Sequence, residues 1–362
     1  MKGLIKGKGL LAAFLCTVLL CGCGQTAAEN VVEEPSKGAE IQIGMSIDSF
    51  VIERWIRDRD VFVSTAQELG AEVNVQCASG DVQEQIDQIR YLIEKKVDVL
   101  VVIPVDCNAL SDVLKDARNQ GIKIISYDRL VANSNVDLYI SFDNEQVGRL
   151  MGQSLVEALP DGGEIFMIGG PTTDNNVGQV EKGFHEVIDA SPLEVVYTQR
   201  CENWNAAQAY GYVKSGLSLF PDVAAIMCGN DDIATQTFQA LSEERLAGKV
   251  YLTGQDGDLM ACQRVVQGTQ LVSVFKAISE EAREAADYAV RLAKGEELTD
   301  ITTRVDDGTF QVPAVILMPV AVTKDNLDEV IIEGGYHARD EVYSDFAENT
   351  EVPRTVLPSG GE

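Results

Sequence analysis

Histidine is almost missing from this chain: His185 and His337 are the only two in 362 residues. His185 falls within a predicted helix and His337 opens an acidic tail, so no Ser-His-Asp set assembles around them. The GxSxG elbow and the phosphate-cradling P-loop are missing too. Gly169-Gly170-Pro171 follows a predicted strand but lacks the GxGxxG pattern, and reads as a turn. No CxxC pair or Cys/His cluster offers metal-ligand spacing. Asp256 and Asp258 lack the surrounding loop that calcium needs. No metal and no cofactor is expected.

Positive charge is scarce as well. Against 57 acidic residues stand 29 basic ones, a net charge of −28. Such a surface repels nucleic acid and anionic lipid headgroups. Cysteine is modest and unevenly placed. Cys16, Cys21 and Cys23 lie near the start, which leaves Cys77, Cys107, Cys201, Cys228 and Cys262 in the body. An odd set cannot pair completely, and these read as small buried hydrophobes. One disulfide stays open as an alternative.

A long apolar run occurs only at the start, over Leu10 to Leu20. It is short of the roughly 20 residues a membrane span needs. Lys2, Lys6 and Lys8 precede it, and Leu20-Cys21-Gly22-Cys23 closes it. A basic n-region, an apolar h-region and a small-residue site make a secretory signal. The closing motif resembles the lipobox of bacterial lipoproteins. That resemblance implies a signal peptide over 1–22, cleavage before Cys23, and a lipid on its thiol. The protein would then work outside the cytoplasm, anchored to the cell membrane. Residues 23–40 are polar and acidic, and read as a flexible tether.

About 340 residues follow the leader, enough for two domains. They alternate between strand and helix patterns. Ile41 to Ile47, Glu72 to Gln76, Val97 to Ile103, Lys123 to Ser126 and Leu138 to Ser141 read as short β-branched strands. Helical patterns fill Glu53–Leu69, Val82–Lys95 and Asn108–Gln120 between them. Ile86, Ile89 and Ile93 share one helix face. The run Val99-Leu100-Val101-Val102-Ile103 suits a strand buried on both faces of a parallel sheet. The pattern restarts with strands at Glu164, Leu193, Val223, Lys249 and Gln270. Helices are expected over Asn176–Ile188, Asn205–Leu219, Asp231–Glu244, Leu259–Gln267 and Ser279–Lys294, and one more strand over Pro313 to Pro319. Two such arrays predict an α/β fold of two doubly wound, Rossmann-like parallel-sheet lobes. Residues 337–362 are acidic and are expected to be disordered.

Open parallel sheets bind ligands beyond the carboxyl ends of their strands. Those positions hold Asp48, Asp128, Arg129, Asp143, Asn144, Asp174, Asn176, Asn230 and Asp256. Any one of them could instead cap the next helix. Spread over both arrays, the series points to a cleft. Carboxylates and amides mixed with Arg suit a neutral polyhydroxy ligand, whose hydroxyls both donate and accept. The only tryptophans, Trp55 and Trp204, fall one in each array. Flat walls of this kind pack on the C–H faces of a sugar ring.

At these residues a resemblance becomes specific. Glu53-Arg54-Trp55-x-x-Asp58-Arg59-Asp60, Tyr127-Asp128-Arg129, Tyr139-Ile140-Ser141-Phe142-Asp143-Asn144, Asp174-Asn175-Asn176, Asn230-Asp231 and Gly254-Gln255-Asp256 occur in this order. Together they resemble the D-xylose-binding branch of the ribose/galactose-type periplasmic binding proteins, over about Ile41 to Tyr336. The resemblance implies two lobes joined by a hinge of three crossovers, the periplasmic binding protein type I fold. It implies that 41–143 with about 276–310 form the first lobe, and 144–275 with about 311–336 the second. Arg54, Asp128, Arg129, Asp174, Asn176, Asn230, Asp256 and Lys276 would hydrogen-bond the sugar, while Trp55 and Trp204 would stack on it. Ala277 departs from the proline usual there. The implied partners are a monosaccharide (D-xylose or a related aldose) and an ABC permease, with the binding protein itself a monomer. A membrane sensor as the receiving partner stays open, as does an exported carbohydrate enzyme, since paired carboxylates abound. A repressor sharing the fold is excluded by the leader, the acidic charge and the lack of a DNA-binding helix-turn-helix.

Overall fold

The structure is a computed structural model, and it describes residues 41–344. The leader, Cys23, the tether and residues 345–362 lie outside the described residues.

The first array runs β1 (Ile41–Ile47), α1 (Arg54–Glu68), β2 (Ala71–Cys77), α2 (Val82–Glu94), β3 (Val99–Val102), α3 (Ser111–Asn119), β4 (Lys123–Tyr127) and β5 (Leu138–Phe142). The second runs α4 (Asn144–Ala158), β6 (Gly163–Gly169), α5 (Asn175–Ile188), β7 (Leu193–Arg200), α6 (Ala207–Leu219), β8 (Ala225–Cys228), α7 (Asp231–Glu243), β9 (Tyr251–Gln255), α8 (Leu259–Gln267) and β10 (Val272–Phe275). The chain closes with α9 (Ile278–Ala293), β11 (Arg304–Asp306), β12 (Gln311–Leu317), β13 (Val320–Val322) and α10 (Arg339–Val342).

Among the described residues the strands form two sheets, ordered β11-β12-β5-β4-β3-β1-β2 and β13-β10-β9-β8-β6-β7. Pairing is parallel except at β11 and β13, one edge strand of each sheet. The doubly wound α/β reading therefore holds. β3 is wholly buried, as its unbroken apolar run requires. The chain passes between lobes after β5, after β10 and after β12. The second passage delivers α9 back to the first lobe, where it packs on α1.

Three expectations need correction. The first lobe does not end near residue 310, because Ala314 to Leu317 pair in parallel with Tyr139 to Phe142. The return to the second lobe falls after Leu317, where β13 joins β10. The acidic tail is ordered through its first residues: α10 lies on α8 and Val342 is buried. Helix α4 escapes the sequence pattern because it carries Gly148 and Gly152, both poor helix formers. They are there for packing. A Cβ at Gly148 would fall on the Val180 carbonyl, and one at Gly183 on that of Glu145, so α4 and α5 meet backbone to backbone. The body cysteines are all free, four of them buried, so the open disulfide alternative is not taken.

Candidate functional site

The carboxyl ends of both sheets face one interlobe cavity. Its lining of two indoles and converging polar side chains suits a small-molecule site. The ten residues singled out by sequence all line it: Arg54, Trp55, Asp128, Arg129, Asp174, Asn176, Trp204, Asn230, Asp256 and Lys276. Each is at most 8% exposed.

Two of the strand-end aspartates reach the cavity through unusual backbone. Asp128 has φ 60° and Asp256 has φ 99°. Asp and Asn tolerate this left-handed region better than most residues, and such strain gathers at functional sites. At Asp128 the turn is held by its N–H to Ile140 O (2.8 Å) and by Ser141 Oγ–H donating to its carbonyl (2.6 Å). At Asp256 the support is Asp231, whose Oδ2 accepts from Gly257 N (3.0 Å) and Asp258 N (3.1 Å).

The charges interlock. Arg54 Nη1 donates to Asp128 Oδ1 (3.1 Å) and lies 3.9 Å from Asp256. Its other face meets Asp58 (3.2 and 3.3 Å) and Glu281 (2.9 Å). Arg129 contacts Asp48 (2.7 Å), the Pro104 carbonyl (3.0 Å) and, through Nε, Asp174 Oδ2 (2.7 Å). Lys276 Nζ stands 3.7 Å from Asp256. Burial pushes the Asp128 carboxyl up, but Arg54, Lys276 and Arg129 together outweigh it and hold it below the usual carboxylate range. Asp174 goes the other way: burial raises it despite Arg129.

The aromatic walls are built differently. Trp55 lies under two guanidinium groups, with Arg54 4.3 Å and Arg129 5.3 Å from the ring centre. Trp204 sits in a tight turn where both Asn203 (φ 53°) and Trp204 (φ 54°) are left-handed. Its Nε1 donates to Asp174 Oδ2 (3.2 Å). Gly170 makes room for it, since a Cβ there would lie 2.5 Å from Cη2. The Gly169-Gly170-Pro171 turn therefore shapes the cavity.

Capping and cavity-facing roles coexist. Asp174 caps α5 through Asn176 N (2.9 Å), and Asn230 caps α7 through Ile233 N (2.9 Å). Asn230 Oδ1 makes that cap while its Nδ2 is buried without a partner. Asn176 Oδ1, Gln255 Oε1 and Trp55 Nε1 are likewise buried without a hydrogen bond, as is Asp256 Oδ1, which has only the Lys276 and Arg54 charges 3.7 and 3.9 Å away. A buried polar atom without a hydrogen bond is costly, and such a set on one cavity calls for a ligand that both donates and accepts.

Contacts across the cleft run beside the cavity. Cys107 N donates to Thr173 O (2.9 Å). Asn175 Oδ1 accepts from Leu130 N (2.9 Å) and from Cys107 Sγ (3.3 Å). Asn176 Nδ2 donates to Asp128 Oδ2 (3.0 Å). Neither histidine lines the cavity: His185 pairs with Asp189 (3.1 Å), and His337 bonds Gly257 O (2.8 Å). Among the described residues no cluster could hold a metal ion, and no helix is long and apolar enough to cross a membrane.

The sequence reading missed Glu281 and the cavity-shaping part of Gly170; it set Asp48 among the strand-end residues of the cleft, and it quoted Asp58 and Gln255 within motifs without giving either a role. Asp58 had a signal, its i, i+4 spacing from Arg54. Glu281 had a weaker one: with Ile278, Ala282 and Ala285 it falls on the buried face of α9.

Two α/β lobes enclosing a polar, tryptophan-lined cavity at their strand ends define a ligand-capturing binding protein. The comparisons agree with that class. A family model described as "Periplasmic binding protein domain" matches residues 43–297. The chain is 40% identical over 321 residues to the D-xylose-binding periplasmic protein of Haemophilus influenzae, covering 87% of this chain and 96% of that protein. It is 38% identical over 330 residues to the protein of the same name from Escherichia coli K12, covering 90% and 98%. Among solved structures, an ABC transporter solute-binding protein from Clostridium phytofermentans with bound β-D-glucose superposes with a TM-score of 0.75 at 27% identity, covering 83% of this chain and 99% of that one. The chain belongs to the periplasmic binding protein family.

Proposed function

We propose that this chain captures a monosaccharide of the aldose class, D-xylose first among them, in its interlobe cavity and delivers it to the permease of an ABC importer. The observation that carries the reading is the set of buried atoms without a hydrogen bond on Asn176, Asn230, Gln255 and Asp256, residues that line one cavity with Trp55 and Trp204. A donor amide among acceptor oxygens matches hydroxyls that do both, and the indoles suit the C–H faces of a pyranose ring. The names of the two curated relatives favour D-xylose within that class. Arg54, Asp128, Arg129, Asp174 and Lys276 would complete the hydrogen-bonding shell.

The residues that line the cavity come from both lobes and are buried, so ligand entry calls for the lobes to part. Contacts made only on closure then favour the liganded, closed form. We further propose that the protein is a lipid-anchored monomer outside the cytoplasm, held by Cys23 through the 23–40 tether. The motif before Cys23 supports this.

Thermal-shift and calorimetric titration against D-xylose, D-ribose, D-glucose and xylitol test the function. Ligand at a hundred times its dissociation constant adds about 2.7 kcal/mol of stability. Saturable binding of at least one aldose, unchanged on recovery, is the expected result. No shift with any aldose would overturn the reading, and turnover of a glycoside would replace it with catalysis.

A further inference from the structure

We propose that Glu281 is a positioning residue of the binding site: reaching in from α9, it sets the orientation in which Arg54 faces the ligand. The inference rests on the aldose reading and adds to it a residue that touches no ligand.

The geometry divides the Arg54 fork into two sides. Toward the cavity, Nη1 meets Asp128 and approaches Asp256. Away from it, Nη2 is shared by Glu281 Oε2 (2.9 Å) and Asp58 Oδ1 (3.2 Å). A planar guanidinium held by two groups on one side has little freedom to rotate on the other. Asp58 lies on the same helix as Arg54, whereas Glu281 comes from a separate element 227 residues away. Glu281 thus ties the Arg54 plane to α9, which opens just after the interlobe passage at Lys276 and Ala277.

Burying an acid on the apolar face of a helix is costly unless something offsets it. Glu281 is fully buried and its Oε1 has no partner, so it is not placed there for packing alone. The groups around it are Arg54 and Asp58 of α1, Tyr127 and Asp128 at the end of β4, and Lys276 of the passage. Asp256 at the end of β9 faces the same guanidinium. Arg54, Lys276 and, at Asp128, Arg129 are thus the cations facing Asp58, Asp128, Asp256 and Glu281. Burial, and then the Asp128 charge, push Glu281 well above its ordinary range. A neutral acid still accepts the Arg54 hydrogen bond through its carbonyl oxygen, and a glutamine would do the same.

The sign of the pH dependence follows. A carboxyl raised in the folded state holds its proton there while the unfolded chain has released it. Its stabilising contribution is present below about pH 4.3 and declines as pH rises toward the raised folded value. Glu281→Gln removes that decline.

The test uses the mature protein, calorimetry with D-xylose at pH 7, and ligand-free melting temperature from pH 5 to 8. Glu281→Ala should weaken D-xylose binding by about tenfold or more, with Glu281→Gln within about threefold of wild type. The melting temperature of Glu281→Gln should fall less steeply with pH than that of wild type. Glu281→Ala binding as tightly as wild type would overturn the proposal. So would equal pH slopes for wild type and Glu281→Gln. If Glu281→Ala does not fold, Glu281→Gln alone decides: near-native affinity with a flattened slope supports the role, and lost affinity or an unchanged slope refutes it. Failure of the wild type to bind any aldose would instead strike the functional reading, and the ligand-free slopes would still judge Glu281.

Discussion

Adding one methyl group at Gly170 should damage the cavity by displacing Trp204, without replacing any residue assigned to the ligand. The Cβ of Gly170→Ala would lie 2.5 Å from Trp204 Cη2 and 2.7 Å from Cε2. Carbon atoms rest at about 3.5–4.0 Å, so the indole must retreat by roughly 1 Å. The backbone at Gly170 is not left-handed, so alanine brings no strain of its own. The indole cannot move freely either, because Nε1 is bonded to Asp174, which also holds Arg129. Overpacking of this kind costs about 1–3 kcal/mol. At about 1.4 kcal/mol per tenfold, this predicts roughly a 5- to 150-fold loss of D-xylose affinity. Calorimetry measures the loss, and tryptophan fluorescence should report a displaced indole before sugar is added. Wild-type affinity in Gly170→Ala, with an unchanged emission spectrum, would show that Trp204 is not a fixed wall.

Arg129→Lys should fail to rescue Arg129→Ala, since one ammonium cannot hold Asp48, Asp174 and the Pro104 carbonyl in a planar fork. Both variants should lose sugar affinity by about 2–4 kcal/mol in calorimetry. Asp128→Asn should weaken binding at neutral pH and remove a stability term from wild type. Because the Asp128 carboxyl is held low, that term is present above about pH 3.9 and lost as pH falls through the folded value, which acid melting curves measure. Asn175→Ala should raise the sugar dissociation rate in stopped-flow experiments, each lost hydrogen bond costing about 0.5–1.5 kcal/mol. Cys23→Ala should release the protein from membranes or block its processing, as fractionation would show.

The sequence was most legible where one residue type does one job. Unbroken β-branched runs marked the central strands, and the polar residues just beyond them marked the cavity, because a parallel sheet leaves its ligand nowhere else to bind. What stayed hidden depends on contacts between distant segments. Glu281 meets Arg54 only after the chain has built the second lobe and returned. Gly170 reads as a turn until Trp204 is seen against it. Gly148 and Gly152 lower the helical signal of α4 for the sake of a neighbour that local pattern cannot reveal. Strand β12 looks equally suited to either lobe by composition, and only its register beside β5 decides.

The seam formed by Cys107, Leu130, Thr173 and Asn175 bears on the speed of the carrier as well as its affinity. A ligand held between the lobes leaves as that seam opens, so residence time depends on these backbone and amide contacts together with the Arg129–Asp174 pair and the sugar's own contacts. A recipient that pries the lobes apart need not compete with the sugar's own contacts one by one. Tightening the seam would improve capture at scarce concentrations and slow every subsequent delivery.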